Sequence, residues 1–329
     1  MTLRVGILGA GQMGRTHAEV LARDGRVRIT GVADADAGRA RQLAAGFGAT
    51  AHQDLGTLLN EGPDLLVVTT PNRFHAEASL AALERGVGVL CEKPMAIGLP
   101  DARTICDAAE RRGAFYVVAH NRRHAPVYRH VRGLLREGFG PLLASFRMHE
   151  GDYRTPSWVS DRAVSGGFLY ENLVHFFDLM EWLVAPISEV SCLARGPLYD
   201  DLNDFVISVA FAGGAIGALT ATGHSTWTPP AEGAELVGDH ATIVVEGLDR
   251  VRHAAGDGAA VQVTDCAGLS REDRWGYREQ DGEVIEALLA GGRPCFSARR
   301  ALRTLEIAEA CARAAREGRA VRLGPPPVD

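Results

Sequence analysis

The chain opens with a strand-sized apolar run, Leu3 to Leu8, that leads straight into Gly9-Ala10-Gly11-Gln12-Met13-Gly14 and an amphipathic segment reaching about Arg23. A second apolar run, Val27 to Ala33, ends at Asp34, 20 residues beyond the last glycine. A lone G-x-G-x-x-G is a weak signal, but strand, glycines, helix and acid in this register describe a dinucleotide site. Gly9 makes the tight turn, Gly11 lets the backbone approach a pyrophosphate, and Gly14 lets helix and strand pack closely. Ala10, Gln12 and Met13 fill the turn, and the N–H groups at the helix start receive the anion. A carboxylate at Asp34 accepts bonds from ribose hydroxyls and repels a 2′-phosphate, so NAD is the expected cofactor. Arg39 and Arg41, on the next helix, leave some room for NADP, the less favoured choice.

Alternation continues with strands at 65–70, 87–91 and 114–119 and helices at 74–85 and 100–112, which predicts a doubly wound parallel sheet. Ligands bind beyond the carboxyl ends of such strands. The residues leaving those ends are Thr70-Pro71-Asn72, Glu92-Lys93-Pro94 and His120-Asn121-Arg122. Lys93 is notable because Lys and Arg together number 35 and only this one is lysine. An ammonium is a compact donor with an adjustable pKa, a role that arginine does not fill.

Beyond the helix 126–137 the pattern changes. A strand at 141–149 precedes the polar, aromatic loop from Glu150 to Trp158, and Ser165-Gly166-Gly167 opens a helix to about Val184. Short β segments then follow at 190–194, 205–211, 215–222, 234–237, 242–246 and 260–264, with Ala212-Gly213-Gly214 as a hairpin turn. The expectation is an α/β protein: a Rossmann domain over 1–121, then an α+β domain over 122–329 with a large open, mainly antiparallel sheet. One face of that sheet packs the 168–184 helix, and the other is a candidate for pairing subunits as a homodimer or homotetramer. Two helices, about 276–290 and 298–317, close the chain, and the second is a candidate to pack back on the first domain.

Composition narrows the partners. A net charge of -6 argues against nucleic acid or an anionic membrane as the main partner, and no apolar run reaches a membrane span. Six scattered cysteines without a C-x-x-C pair suggest reduced thiols rather than a metal or disulfide framework, and the expected location is cytoplasmic. In the 168–184 helix, Leu169, Leu173, Phe176, Phe177, Met180 and Leu183 form an apolar stripe. Glu171, His175 and Asp178 share another face. That face reads either as a solvated charged surface with an incidental histidine, or as a carboxylate orienting an imidazole for proton transfer.

These motifs together resemble the Gfo/Idh/MocA oxidoreductases, the glucose–fructose oxidoreductase and inositol dehydrogenase family, over nearly the whole chain. The glycine turn, Thr70-Pro71-Asn72 with His75, Glu92-Lys93-Pro94, and Ser165-Gly166-Gly167 leading to a carboxylate and histidine four apart all match. So does the tail from Ala301 to Val321. The resemblance implies hydride transfer at a carbinol carbon of a sugar or cyclitol. It puts Lys93 near the nicotinamide and reacting oxygen, Glu92 and Asn72 near the cofactor ribose, and His175 in the role of general acid/base. Many members have aspartate four before the histidine; this chain has Glu171, which either orients His175 or contacts substrate.

The chemistry expected is reversible oxidation of a secondary alcohol of a sugar, amino sugar or cyclitol without a metal. Lys93 stabilises the alkoxide, His175 moves the proton, and Glu171 supports it. Arg122, Tyr153, Trp158 and Asn172 are candidate substrate contacts; Arg122, Arg123, Arg154 and Arg162 either meet a phosphate or are solvated. Two alternatives are a glycoside-processing enzyme that retains NAD for transient oxidation, and a catalytically silent NAD- or sugar-sensing protein.

Overall fold

Two sheets organise the chain. The computed structural model describes residues 2–151, 154–226, 231–292 and 296–326. The first sheet holds β1 (Leu3–Leu8), β2 (Val27–Ala33), β3 (Thr50–His52), β4 (Leu65–Val68), β5 (Gly88–Glu92) and β6 (Tyr116–Ala119). Its order is β3-β2-β1-β4-β5-β6 and every pairing is parallel. The order reverses between β1 and β4, the switch point where doubly wound sheets bind ligands. Central strands are apolar on both faces because helices cover both: all four residues of β4 are fully buried. The short edge strand β3 and the helices Ala37–Ala45 and Leu55–Asn60 complete the alternation. Asp36 and Asp54 cap those two helices by accepting backbone N–H bonds.

The second sheet has nine strands: β7 (Leu143–His149), β8 (Ile187–Arg195), β9 (Asp204–Phe211), β10 (Ile216–Thr222), β11 (Glu232–Gly238), β12 (Ala241–Glu246), β13 (Arg250–Ala255), β14 (Gln262–Asp265) and β15 (Val321–Arg322). Their order is β14-β13-β12-β11-β7-β10-β9-β8-β15. All pairs are antiparallel except β7 with β10. The expected turn at Gly213-Gly214 joins β9 to β10. Strand alternation puts Ala144, Phe146 and Met148 of β7 into a core with Ile207, Val209 and Leu219. Leu169, Leu173, Phe176, Phe177, Met180 and Leu183 join it, as their stripe predicts.

The helix predicted over 168–184 is interrupted. It runs Phe168–Glu171, turns at Asn172 and Leu173, and resumes Val174–Leu183. The chain divides into two compact units, 1–120 with 277–302, and 121–276 with 303–328. The first unit therefore regains a helix, Tyr277–Leu289, from beyond the second sheet; the expected boundaries had placed that helix in the second domain.

Candidate functional site

In the first unit the glycine turn is explained contact by contact. Gly9 has φ +101°, and a Cβ there would lie 2.6 Å from the Thr69 carbonyl oxygen. A Cβ on Gly14 would lie 1.9 Å from the Gly9 carbonyl oxygen, so only glycine allows this approach. Gly11 differs, since a Cβ there meets nothing within 4 Å. It is the N-cap of helix Gln12–Leu21, whose first N–H groups have no acceptor within their own helix. Open space over a helix N-terminus at the switch point fits a pyrophosphate. Met13 is half-buried and Gln12 is exposed on that first turn.

Asp34 leaves the end of β2 beside this turn. Its Oδ2 accepts from the Ala10 N–H at 2.7 Å and its Oδ1 from the Asp36 N–H at 2.8 Å. Thr69, which sequence reasoning missed, locks the opposite side: its hydroxyl donates to the carbonyls of Gly9 at 2.8 Å and Leu8 at 3.0 Å. A threonine one residue before the Thr70-Pro71-Asn72 motif carries no sequence signal of its own. Arg39 lies 3.5 Å from Asp36, both exposed.

His75 ties two strand-end loops together. Its Nδ1 lies 2.8 Å from the Pro94 carbonyl oxygen and its Nε2 2.7 Å from that of Thr70. Two acceptors require two ring protons. Burial opposes the charge, but neighbouring Cys91 and the two carbonyls outweigh it, raising the imidazole to about 9. The sequence-predicted Thr70, Pro71 and Asn72 sit on one of those loops, with Asn72 buried in a short 3₁₀ turn. Glu92, Lys93 and Pro94 leave β5 on the other, with a cis bond between Lys93 and Pro94.

Glu92 is buried beneath Lys93, accepting the Lys93 N–H at 3.1 Å through Oε2. Its Oε1 lies 3.2 Å from Nε2 of His17, whose Nδ1 lies 2.8 Å from Asp281 Oδ2. Burial pushes Glu92 up, but the His17 hydrogen bond, then the His17 and Lys93 charges, hold it below the usual carboxylate range. Burial likewise opposes charge on His17, and Asp281 followed by Glu92 outweighs it, raising the imidazole to about 10.

In the second unit Glu171, Asn172, His175 and Asp178 are all buried, so their face is not a solvated surface. Glu171 ends the first helical segment and His175 lies in the first turn of the next. Asp178 accepts from Arg123 Nε at 2.6 Å, docking the segment Asn121–His124 on that helix. Arg122 is committed internally. It is buried, donates to Glu232 at 3.0 Å, and lies over the Trp275 ring at 4.5 Å. Asn121, also buried, donates to the Trp275 carbonyl at 2.9 Å. Arg122 and Arg123 are therefore neutralised by protein carboxylates, while Arg154 lies over Tyr199 and Arg162 is exposed. Trp158 is half-buried, and Tyr153 falls outside the described residues. No group of His, Cys, Asp and Glu among the described residues could hold a metal, and none of their helices is long and apolar enough to cross a membrane.

Two family models match the chain. One, "Oxidoreductase family, NAD-binding Rossmann fold", matches residues 3–120. The other, "Oxidoreductase family, C-terminal alpha/beta domain", matches 138–323. Among curated relatives, the rhizopine catabolism protein MocA of Rhizobium meliloti is 33% identical over 55% of this chain and 56% of its own length. Inositol 2-dehydrogenase 3 of Saccharopolyspora erythraea is 35% identical over 56% of this chain and 54% of its own. The chain thus spans about half the length of the curated relatives it matches. Among solved structures, a levoglucosan dehydrogenase in complex with NADH and levoglucosan superposes with TM-score 0.92 at 21% identity. That match covers 98% of this chain and 100% of that one. An NAD-binding oxidoreductase from Klebsiella pneumoniae gives 0.90 at 21%, covering 99% and 100%. At such identities these two likenesses speak for the fold.

Proposed function

This chain belongs to the Gfo/Idh/MocA oxidoreductases, with an NAD-binding Rossmann fold, and from that premise we propose a dehydrogenase acting on a sugar, amino sugar or cyclitol. The reaction would interconvert a secondary alcohol and its ketone. The observation that carries this reading is the placement of the chain's single lysine. Lys93 leaves the carboxyl end of β5, in the same sheet whose β1 carries the open glycine turn.

Bound NAD supplies the hydride acceptor. The groups of the chain divide the remaining work. The Lys93 ammonium stabilises negative charge on the reacting oxygen, the electrostatic contribution that is usually the largest. His175 accepts the hydroxyl proton and returns it in the reducing direction, and Glu171 orients the imidazole. Asp34 favours NAD over NADP by accepting ribose hydroxyls where a 2′-phosphate would be repelled. Asn72, Thr70, Pro71 and Asn121 line the strand ends toward the cofactor. Asn172 and Trp158 contact the substrate. Arg122, held by Glu232, shapes that region rather than meeting an anion.

The test is an absorbance screen at 340 nm with cyclitols, sugars and amino sugars, each with NAD⁺ and NADP⁺. Turnover with at least one of them and NAD⁺ is expected. Cofactor that copurifies with the protein, without net turnover of added NAD⁺, would favour a glycoside-processing enzyme with retained NAD instead.

A further inference from the structure

The buried chain of Asp281, His17 and Glu92 has no part in the chemistry just described. All three side chains are at least nine-tenths buried, and all belong to the first unit. His17 lies one turn along the helix from Met13 of the glycine turn, and Asp281 lies one turn along its own helix from Tyr277. The two helices meet through two pairs: His17 with Asp281, and Met13 Sδ with the Tyr277 hydroxyl at 3.9 Å. The Tyr277 ring also stands edge-on to His17, with centroids 6.1 Å apart.

We propose that His17 is a positioning residue, a doubly protonated imidazolium clamped by Asp281 that fixes the Glu92 carboxylate under Lys93. Resting on the proposed dehydrogenase reading, it couples the glycine turn that receives the cofactor to the strand end that carries the reactive lysine. The charge balance carries the inference. A buried imidazole between two carboxylates gives each of them a proton only when both ring nitrogens are protonated. Neutral His17 would leave one carboxylate buried against a lone pair, a costly arrangement. With His17 charged, Glu92 Oε1 is satisfied by the ring and Oε2 by the Lys93 N–H, so the carboxylate has a single orientation. The groups facing His17 are Asp281, Glu92 and the Tyr277 ring, with Lys93 beyond Glu92.

The experiment has two arms that need no substrate, so they fail or succeed independently of the catalytic reading. Nitrogen NMR of labelled wild-type protein is expected to show both His17 ring nitrogens protonated at about pH 8, where an ordinary histidine is neutral. A single protonated nitrogen there overturns the proposal. NADH binding is then titrated by fluorescence for His17→Gln, Glu92→Gln and the double variant. Each single change is expected to weaken binding about tenfold or more, the size of one lost hydrogen bond to a charged group. The double variant should be no weaker than the poorer single one, because both act through one contact. Additive losses, or unchanged affinity in folded His17→Gln, overturn it. Should His17→Gln fail to fold, Asp281→Asn takes its place in the same cycle, and the NMR result stands alone.

Discussion

At the scale of single residues, the proposed chemistry rests on two side chains that differ in how replaceable they are. Lys93→Arg keeps the charge but exchanges a compact ammonium for a planar guanidinium. Turnover is expected to fall about a hundredfold or more, the cost of losing a well-aimed donor to a developing oxyanion. Near-wild-type rates in steady-state assays would remove Lys93 from that role. His175→Ala should abolish the limb of the pH–rate profile near neutrality, while NADH affinity stays close to wild type. If the profile keeps its shape, another group moves the proton. The strand-end place of Lys93 was legible early, because this lone lysine among arginines stands just past an apolar run. His17 was not. It falls three residues beyond the last glycine, but the residue that makes it significant, Asp281, is 264 positions away, and no local pattern links them.

At the scale of elements, glycines with identical sequence standing carry different loads. Gly14 faces a backbone oxygen at 1.9 Å and Gly11 faces open space. Gly14→Ala should therefore lower the melting temperature, since the helix must shift off β1. Gly11→Val should leave melting unchanged and remove NADH binding, because its side chain fills only the space over the helix start. Equal effects on both properties from both changes would contradict this division. The alternation of strands and helices from β1 to β6 was readable because buried parallel strands are short apolar runs between turn residues. The break at Asn172 was not readable, since Phe168 to Leu183 keeps a helical apolar period across it. His120-Asn121-Arg122 read as residues leaving a strand end toward a ligand, and Arg123 as either meeting a phosphate or solvated. Their partners Glu232, Asp178 and Trp275 come from remote segments and turn two of the arginines inward.

At the scale of the molecule, pH and association are the measurable consequences. His17 and His75 titrate at about 10 and about 9 when folded, against 6.5 as the ordinary value. The folded state holds their protons more tightly. Their contribution is therefore full below about pH 6.5 and is lost as pH rises toward 10. The melting temperature should fall across that window, and the fall should be shallower in His17→Gln; a pH-independent melt would contradict both protonation states. The second sheet meanwhile leaves Leu143, Leu193, Val206 and Ile216 exposed on the face opposite its helices. Leu193 pairs with Val206 across β8 and β9, and Leu143 with Ile216 across β7 and β10, so the exposed apolar residues form two cross-strand pairs. Light scattering is expected to give a dimer or tetramer, and Val206→Glu with Leu193→Glu a smaller species. A monomeric wild type would refute that use of the face.

The return of residues 277–302 to the first unit has a bearing on how the protein is made. A ribosome releases the six parallel strands early, but the acid that satisfies buried His17 is synthesised only after the whole nine-stranded sheet, β15 apart, has been translated. At about 5–20 residues per second, the interval between residues 120 and 302 lasts about 10–40 s. Through most of it, the dinucleotide-binding half is a nascent chain whose His17 waits for Asp281. The order of synthesis thus runs opposite to the order in which the fold is conventionally described: the cofactor half begins first and is completed near the end.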